Sequence, residues 1–280
     1  MSAVAQVMRV PKHYVALGDS YAAGPGIPNP RIDSPGCFRS TNNYPARLAA
    51  ALGVEDFTDA SCSGAKTDDM TAAQTLLLPG TSTNPPQFTA LRPDTDLVTV
   101  TISGNDIGFA EILFACATVS ATDPDGNPCQ REYTRGDSDL NAQRIAAVAP
   151  KVASVLDGIH DRSPRATVLL VGYLRVLPPA GGCYPVVPIA RGDVPYLDGV
   201  EQQLTDMLAG EASHHHAVFV NSYAHSLGHD VCQPPLVKWV EGFVPTRGLA
   251  APVHPNAIGM LAVADFARNA LTDFTETAGR

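Results

Sequence analysis

Short apolar runs recur along the chain and predict five β-strands. The runs at 97–102 and 168–171 consist of leucine, valine, isoleucine and threonine, a composition typical of strands buried on both faces of a sheet. Together with three shorter runs, they predict strands at residues 14–17, 56–60, 96–102, 166–172 and 217–221.

Helical patterns separate these strands. Strands that alternate with helices imply right-handed βαβ crossovers and a mostly parallel sheet that is covered on both sides. The sequence therefore predicts an α/β fold, a three-layer α/β/α sandwich around a five-stranded parallel sheet. The predicted helices span residues 43–52, 140–160, 196–211 and 255–271.

Four long segments rich in proline, glycine or asparagine lie between the predicted elements. Loops of such length in a compact domain tend to carry function or to be cross-linked. No internal repeat or linker divides the chain, so we expect one domain over residues 1–280. The loop segments are 22–41, 76–92, 114–137 and 174–195.

Composition and charge narrow the range of partners. With 45% hydrophobic and 17% charged residues, the chain can bury a sizeable core. Its formal net charge of −9 and the lack of a run of lysine and arginine argue against nucleic acid as a partner. The longest apolar stretch, at 166–174, is far shorter than the roughly 20 residues of a membrane-spanning helix. We expect a soluble monomer without an integral membrane segment.

The number and spacing of the cysteines indicate whether the protein works in an oxidising or a reducing compartment. They are even in number and widely spread, with no CxxC pair of the kind that binds zinc or carries redox chemistry. Three disulfides in a secreted or cell-envelope protein are the favoured interpretation, and six reduced thiols in a cytoplasmic enzyme are the alternative. The segment 1–8 is too short for a signal peptide. The six cysteines are Cys37, Cys62, Cys116, Cys129, Cys183 and Cys232.

A candidate nucleophile follows the first predicted strand. Residues 14–17 run directly into Gly18-Asp19-Ser20, so Ser20 lies at the carboxyl edge of the sheet, where open α/β folds bind ligands. The cap of a helix is the alternative role of this serine. The motif nearly matches the G-x-S-x-G nucleophile elbow, but Ala22 replaces the last glycine and only one strand precedes it, which disfavours the α/β-hydrolase fold.

Three further motifs flank later elements. Gly64 follows the second predicted strand and can offer its N–H to a ligand, or it forms an ordinary turn. Asn105 follows the third strand and can donate its side-chain amide to an oxyanion, or it holds a turn. His254 precedes the last predicted helix, for which Pro255 suits the first position, and it is either a base or a surface residue.

The four motifs occur in the order serine, glycine, asparagine, histidine, and this order resembles the SGNH (GDSL) hydrolase superfamily. The resemblance extends from residue 14 to the final helix, and the stretches 20–24, 62–65 and 254–256 are similar to secreted actinobacterial esterases, lipases and phospholipases A1. We expect the flavodoxin-like strand order 2-1-3-4-5, because it puts Ser20, Gly64 and Asn105 at adjacent strand ends.

The resemblance implies an activity and a role for each residue. Ser20 attacks an ester carbonyl and becomes acylated, while His254 takes the serine proton and returns it to the leaving alcohol. The N–H groups of Ser20 and Gly64 and the side-chain amide of Asn105 hold the oxyanion. This implies a serine ester hydrolase that acts on lipid-like or short acyl chains, with no cofactor and no metal.

Other functions use the same residues or none of them. A carbohydrate O-deacetylase or an acyltransferase would share the site, and a catalytically silent flavodoxin-like binding module would not use it.

The resemblance to the secreted branch also implies sequential disulfide pairing, namely Cys37 with Cys62, Cys116 with Cys129 and Cys183 with Cys232.

One position departs from the family pattern. The superfamily usually has an aspartate three residues before the histidine, where this chain has Ala251. We expect the main-chain carbonyl of Ala251 to orient His254, which gives a Ser-His dyad without a carboxylate. The rival is an acid from another loop, for which Glu241 and Asp230 are the nearest candidates in sequence.

Several other polar or aromatic residues have plainer interpretations. Asp19 and Asp106 are expected to fix loop hydrogen bonds rather than to act as acid or base. The histidines at 214–216 fit a solvated helix end better than a metal site. Trp239 either packs in the core or lines an acyl site.

Overall fold

The computed structural model describes residues 10–33, 35–76, 83–245 and 248–278. The segment 1–8 that was considered as a signal peptide lies outside the described residues, as does the stretch 77–82 of the predicted loop 76–92. Across the described helices, none has the length and apolar character that crossing a membrane requires.

Five parallel strands form the central sheet in the order 2-1-3-4-5, as predicted. Because β1 pairs with β2 on one side and β3 on the other, the carboxyl ends of these three strands meet at one edge. The strands are β1 (His13–Gly18), β2 (Asp56–Asp59), β3 (Leu97–Thr101), β4 (Thr167–Val171) and β5 (Val218–Val220).

Helices cover both faces of this sheet and complete the predicted three layers. The long helices α6 and α7 pack together on one face, and α2 and α9 pack together on the other. The helices are α1 (Ser20–Ala23), α2 (Tyr44–Leu52), α3 (Gly104–Ile107), α4 (Phe109–Ser120), α5 (Pro128–Tyr133), α6 (Leu140–Arg162), α7 (Val194–His214), α8 (Ser222–His225) and α9 (Ala257–Ala278).

Shorter elements lie in the connections. Three 3₁₀ turns and one small antiparallel ladder are formed by Pro35–Cys37, Thr67–Met70, Gln87–Ala90, and Thr134–Arg135 paired with Ser138–Asp139.

Alternate side chains of the central strands enter two separate cores. Along β1, Tyr14 and Ala16 belong to the core that includes α2 and α9, whereas Val15 and Leu17 belong to the core that includes α6 and α7. Strands covered in this way are apolar on both faces, which is why the sequence shows them as continuous runs. The buried residues of α9 have the spacing of one helix face: Met260, Val263, Ala264, Ala267 and Leu271.

Two predictions about local structure were wrong. The segment 114–137, predicted as a loop, contains most of α4 and all of α5. Helix α4 is apolar on most of its circumference, so its sequence lacks the periodic polar face that marks a helix. Helix α9 begins at Ala257 rather than at Pro255, because the side chain of Asn256 accepts hydrogen bonds from the next two free N–H groups, those of Ile258 and Gly259.

Three disulfides connect the loops. They join Cys37 to Cys62, Cys116 to Cys129 and Cys183 to Cys232, which confirms the sequential pairing. The sequence separations are 25, 13 and 49 residues. The first disulfide ties the loop after α1 to the turn after β2, so it braces the edge of the sheet at which the polar motifs lie.

Candidate active site

Ser20 lies at the point where β1 gives way to α1. The chain leaves β1 through Gly18, whose φ of 142° suits glycine, and a Cβ there would lie 2.5 Å from the carbonyl oxygen of Thr101 on β3. Asp19 caps α1 by accepting a hydrogen bond from the Tyr21 N–H at 2.9 Å. The cap is therefore Asp19 and not Ser20, which leaves the Ser20 hydroxyl for another partner.

That partner is His254. Its Nε2 lies 2.7 Å from the Ser20 Oγ, and its Nδ1 lies 2.7 Å from the carbonyl oxygen of Pro252. A carbonyl oxygen only accepts hydrogen bonds, so Nδ1 carries the proton and Nε2 is left to accept the one from Ser20. A serine hydroxyl that donates to a neutral imidazole is the arrangement of a nucleophile and its base.

The carbonyl that orients His254 belongs to Pro252 and not to Ala251, which corrects the prediction. Residues 251–254 form a tight turn in which the Ala251 carbonyl accepts from the His254 N–H at 3.3 Å. Val253 has a φ of 54° in this turn, and the Pro252 carbonyl is the one that reaches the imidazole. Within the described residues, the imidazole has a backbone partner and no carboxylate partner.

The two carboxylates considered as rivals are engaged elsewhere. Glu241 is buried, accepts from the Asn256 side chain at 3.0 Å and pairs with Lys238 at 2.6 Å. Asp230 accepts from the N–H of Cys232 at 3.0 Å. Both stabilise the loops before α9 rather than contact His254.

The surroundings of His254 favour its neutral form. Burial lowers the pKa of His254, and the hydrogen bond to Pro252 opposes this shift. The ring of Tyr21 packs against the imidazole with 5.4 Å between centroids, and the Tyr21 hydroxyl donates to the Val253 carbonyl at 2.8 Å. Tyr21 thus fixes both the imidazole and the loop that carries it.

Asn105 and Gly64 lie in adjacent loops at the same edge of the sheet. The Asn105 Nδ2 donates one hydrogen to the carbonyl oxygen of Ala65 at 2.9 Å, and the second hydrogen of the amide remains for a ligand. Gly64 has a φ of 81° in the turn between Cys62 and Ala65. Asn105 lines the pocket beside Ser20, whereas Gly64 lies in the neighbouring turn, which Asn105 holds in place.

Asp19 and Asp106 both fix loops through hydrogen bonds. Asp19 accepts from the Tyr173 hydroxyl at 2.6 Å, and burial raises the pKa of Asp19 to about 7. The Tyr173 hydroxyl in turn accepts from the Gly104 N–H at 2.7 Å. Asp106 accepts from the N–H and the hydroxyl of Thr67. Asp19 and Tyr173 therefore link the ends of three strands around Ser20.

A pocket opens beside Ser20 and His254. Besides these two residues and Asn105, its wall combines apolar side chains with two tyrosines and two buried carboxyls. Trp239 stacks on His229 with 3.7 Å between centroids and is not part of this wall, so it packs rather than lines the site. The other lining residues are Asp19, Tyr21, Gly104, Phe109, Ala110, Leu113, Tyr173, Glu201, Leu204 and Val253.

Sequence reasoning missed three residues of this site. Tyr173 lies two residues after β4, at the same carboxyl edge as the predicted motifs, and that position was a usable signal. Glu201 occupies a buried position of α7 between Leu197 and Leu204, and a carboxylate at the spacing of these leucines was also a usable signal. The Pro252 carbonyl had no signal, because its direction depends on the path of the loop.

An α/β/α sandwich with a Ser-His pair at the carboxyl edge defines a serine hydrolase. Residues 16–262 match the GDSL-like Lipase/Acylhydrolase family, and the chain belongs to that family. It is 37% identical over 263 residues to Lipase 2 of Streptomyces coelicolor, which covers 92% of this chain and 85% of that protein. The protein is therefore a serine ester hydrolase.

Two solved structures share the architecture. The phospholipase A1 from Streptomyces albidoflavus NA297 superposes with a TM-score of 0.72 and 27% identity over 91% of this chain and 98% of that one. The extracellular lipase from Streptomyces rimosus superposes with a TM-score of 0.72 and 28% identity, again over 91% of this chain and 98% of that one.

Proposed function

We propose that the protein hydrolyses carboxylic esters through an acyl-enzyme on Ser20, with His254 as the base and the Pro252 carbonyl in place of a catalytic carboxylate. The observation that carries the proposal is the continuous hydrogen-bonded chain from the Pro252 carbonyl through both imidazole nitrogens to the Ser20 hydroxyl. An imidazole held at both nitrogens is already in the tautomer and orientation that proton transfer from serine needs.

The reaction follows from this geometry. His254 Nε2 accepts the proton as the Ser20 Oγ bonds to the ester carbonyl carbon, and the imidazolium then protonates the departing alcohol. Water, deprotonated by the same nitrogen, attacks the acyl-enzyme and releases the acid. The Pro252 carbonyl stabilises the imidazolium as a neutral acceptor, so it contributes less than a carboxylate would.

The oxyanion is held by donors from three neighbouring loops. We assign this role to the N–H groups of Ser20 and Gly64 and to the second amide hydrogen of Asn105. Each such donor is worth about 3 kcal/mol of the activation barrier. The hydrogen bond from Asn105 to Ala65 supports the assignment, because it couples the position of the amide to the turn that carries Gly64.

The pocket and the disulfides support finer proposals about substrate and setting. Phe109, Leu113 and Leu204 give the pocket wall an apolar character that suits lipid-like or short acyl chains. Three disulfides are typical of proteins that work in an oxidising environment, so we propose an extracellular location. The proposed site is complete within one chain, so we propose that a monomer is active and that no second copy is needed.

Variant kinetics on a short-chain p-nitrophenyl ester test the proposal. Ser20→Ala and His254→Ala should each lower kcat by about 10⁴-fold or more, because nucleophile and base act as one unit. Asn105→Ala should lower kcat by about 10²- to 10³-fold through loss of one oxyanion donor. Circular dichroism of each variant shows that the fold is retained.

The same assay separates a dyad from a triad. Glu241→Gln and Asp230→Asn should stay within about tenfold of the wild type, since the carboxylates of Glu241 and Asp230 bond to other groups and do not contact His254. Ser154→Ala removes an exposed hydroxyl on α6, so it is the matched control for Ser20→Ala and should leave kcat unchanged. Near-full activity of Ser20→Ala would refute the nucleophile, and a loss at Glu241→Gln or Asp230→Asn equal to that of His254→Ala would refute the dyad.

A further inference from the structure

The pocket beside Ser20 contains a carboxyl group that ester hydrolysis does not use. Glu201 lies on α7, is 2% exposed and borders the same pocket as Ser20 and His254. An ionisable group in a partly apolar wall is costly unless it is hydrogen-bonded, so its presence calls for a partner. Much of the remaining wall is apolar and includes Phe109, Leu113 and Leu204.

Among the described residues, only one of the two Glu201 oxygens has a hydrogen-bond partner. Oε2 accepts from the Val176 N–H at 3.0 Å, whereas Oε1 is buried and has no hydrogen-bond partner among the described residues. The nearby guanidinium of Arg175 donates to Asp198 and lies over the ring of Tyr223, 3.7 Å from its centroid. The Nε of Arg175 is also buried without a hydrogen-bond partner among the described residues. The hydrogen bond from Val176 therefore accounts for half of the Glu201 carboxyl group, and Oε1 is left unpaired in a residue that borders the pocket.

Burial favours the protonated form of Glu201. Burial raises the pKa of Glu201 to about 8, with Asp198 adding to the shift and with the Val176 N–H and Arg175 opposing it. Since Oε2 accepts from Val176, the proton belongs on Oε1.

We propose that Glu201 is a specificity-determining residue whose Oε1–H donates a hydrogen bond to a substrate oxygen other than the ester carbonyl. The favoured substrates are then esters with an ether, hydroxyl or keto oxygen in the part that fills the pocket. A pure hydrocarbon chain at this place leaves the buried O–H without a partner, and sites with unpaired polar groups discriminate against such ligands. This inference rests on the proposed function, because the substrate must reach Ser20.

Matched esters test the inference. The first series compares p-nitrophenyl hexanoate with analogues in which one chain methylene is replaced by an ether oxygen at successive positions. The second series makes the same replacement in the alcohol of n-hexyl acetate. An ether oxygen accepts hydrogen bonds and cannot donate them, so the ratio of kcat/KM between analogue and parent reports a donor in the pocket. Comparison of this ratio between enzymes cancels the intrinsic reactivity of each ester.

Only the loss of the donor at position 201 should change the ratio. Glu201→Leu should lower the ratio for at least one ether position by about fivefold or more, the worth of one buried hydrogen bond. Glu201→Gln should keep the preference, because its amide oxygen can accept from Val176 while its N–H donates into the pocket. Glu211→Leu makes the same change as Glu201→Leu on the same helix, outside the pocket, and should leave the ratio unchanged.

The pH dependence of the ratio separates the inference from a purely structural role. In the wild type the ratio should fall as pH rises through about 8, because the ionised carboxylate can only accept, and in Glu201→Gln it should stay constant. Ionisation of His254, the base for both esters of a pair, affects both alike and cancels. Ionisation of Asp19 is common to the wild type and Glu201→Gln, so a change of the ratio that is absent from Glu201→Gln belongs to Glu201. This comparison needs only the wild type and Glu201→Gln, so it holds even where Glu201→Leu does not fold.

The outcomes distinguish this inference from the proposed function. Ratios in both series that respond neither to pH nor to Glu201→Leu would overturn the role of Glu201, even with the parent esters hydrolysed normally. Hydrolysis of the parent esters by Ser20→Ala at the wild-type rate would instead overturn the proposed function.

Discussion

At the scale of single residues, reactivity depends on how His254 is held. The imidazole has a neutral partner in the Pro252 carbonyl, and Tyr21 packs against its ring. Among the described residues the imidazole has no carboxylate partner, and burial lowers the pKa of His254. The base therefore stays neutral, and able to accept a proton, at a lower pH than an ordinary histidine.

This gives a prediction for the pH profile. With an uncharged ester, kcat/KM should fall on the acid side with a midpoint below 6.5, the ordinary histidine value, because protonated His254 cannot accept the Ser20 proton. Initial rates across the acid range, with the fold checked by circular dichroism at each pH, measure this midpoint. Because the pKa of Asp19 is raised to about 7, Asp19→Asn is the control, and its acid limb should persist. A midpoint above 6.5 would contradict the environment assigned to His254.

At the scale of elements, the site is assembled from loops at the ends of β1, β2 and β3 and from the loop before α9. Sequence reasoning located the first three, because a continuous apolar strand such as β3 followed by a polar motif is visible in the residues themselves. It missed α4, whose apolar residues lack helical periodicity, and it placed the start of α9 too early because proline suits a first helical position.

The disulfide between Cys37 and Cys62 connects two of the loops that form the site. Gly64 lies two residues after Cys62, so the bridge supports the turn that is assigned to the oxyanion hole. Replacement of both cysteines by alanine should lower the free energy of unfolding by about 2–4 kcal/mol. It should also lower kcat, because the Gly64 N–H loses its fixed position.

The matched control is the double alanine variant at Cys183 and Cys232. It removes a disulfide that closes a longer loop and does not flank Gly64. It should lower the free energy of unfolding by a similar amount and leave kcat near the wild-type value. Urea denaturation and steady-state kinetics measure both quantities. An equal loss of kcat in the two double variants would argue against a specific effect on the oxyanion turn.

At the scale of the whole molecule, two buried carboxyls couple stability to pH. Burial raises the pKa of Asp19 to about 7 and that of Glu201 to about 8, from ordinary values of 3.8 and 4.5. The folded protein therefore binds more protons than the unfolded chain between those limits, and the free energy of unfolding decreases as pH rises through them. Carboxyls with a lowered pKa, such as Asp33 and Asp56, lose their contribution only at more acidic pH.

We accordingly expect a larger free energy of unfolding near pH 5 than near pH 8, a range that spans most of the titration of Asp19 and the first half of that of Glu201 in the folded protein. Urea denaturation at both pH values measures the difference. In the double variant Asp19→Asn, Glu201→Gln this difference should shrink, because neither replacement titrates. An unchanged difference in the double variant would show that other groups govern the pH dependence.

The whole molecule also shows where sequence reasoning ends. The strand order and the positions of Ser20 and His254 follow from local patterns and from the family resemblance. The bond from Tyr173 to Asp19 joins residues 154 positions apart, and it depends on packing that no local pattern records. The Pro252 carbonyl depends on the positive φ of Val253, which a residue of this type rarely adopts. These details decide the electrostatics of the site and had to come from the structure.

The central claim is that Ser20, activated by His254, forms a covalent intermediate with the substrate. The most direct test is to treat the protein with a fluorophosphonate, which phosphonylates activated serines, and to locate the adduct by peptide mass spectrometry. We predict one adduct per chain, on Ser20, with labelling slowed strongly in His254→Ala and abolished in Ser20→Ala. An adduct on a different serine, or undiminished labelling of Ser20→Ala, would contradict the claim.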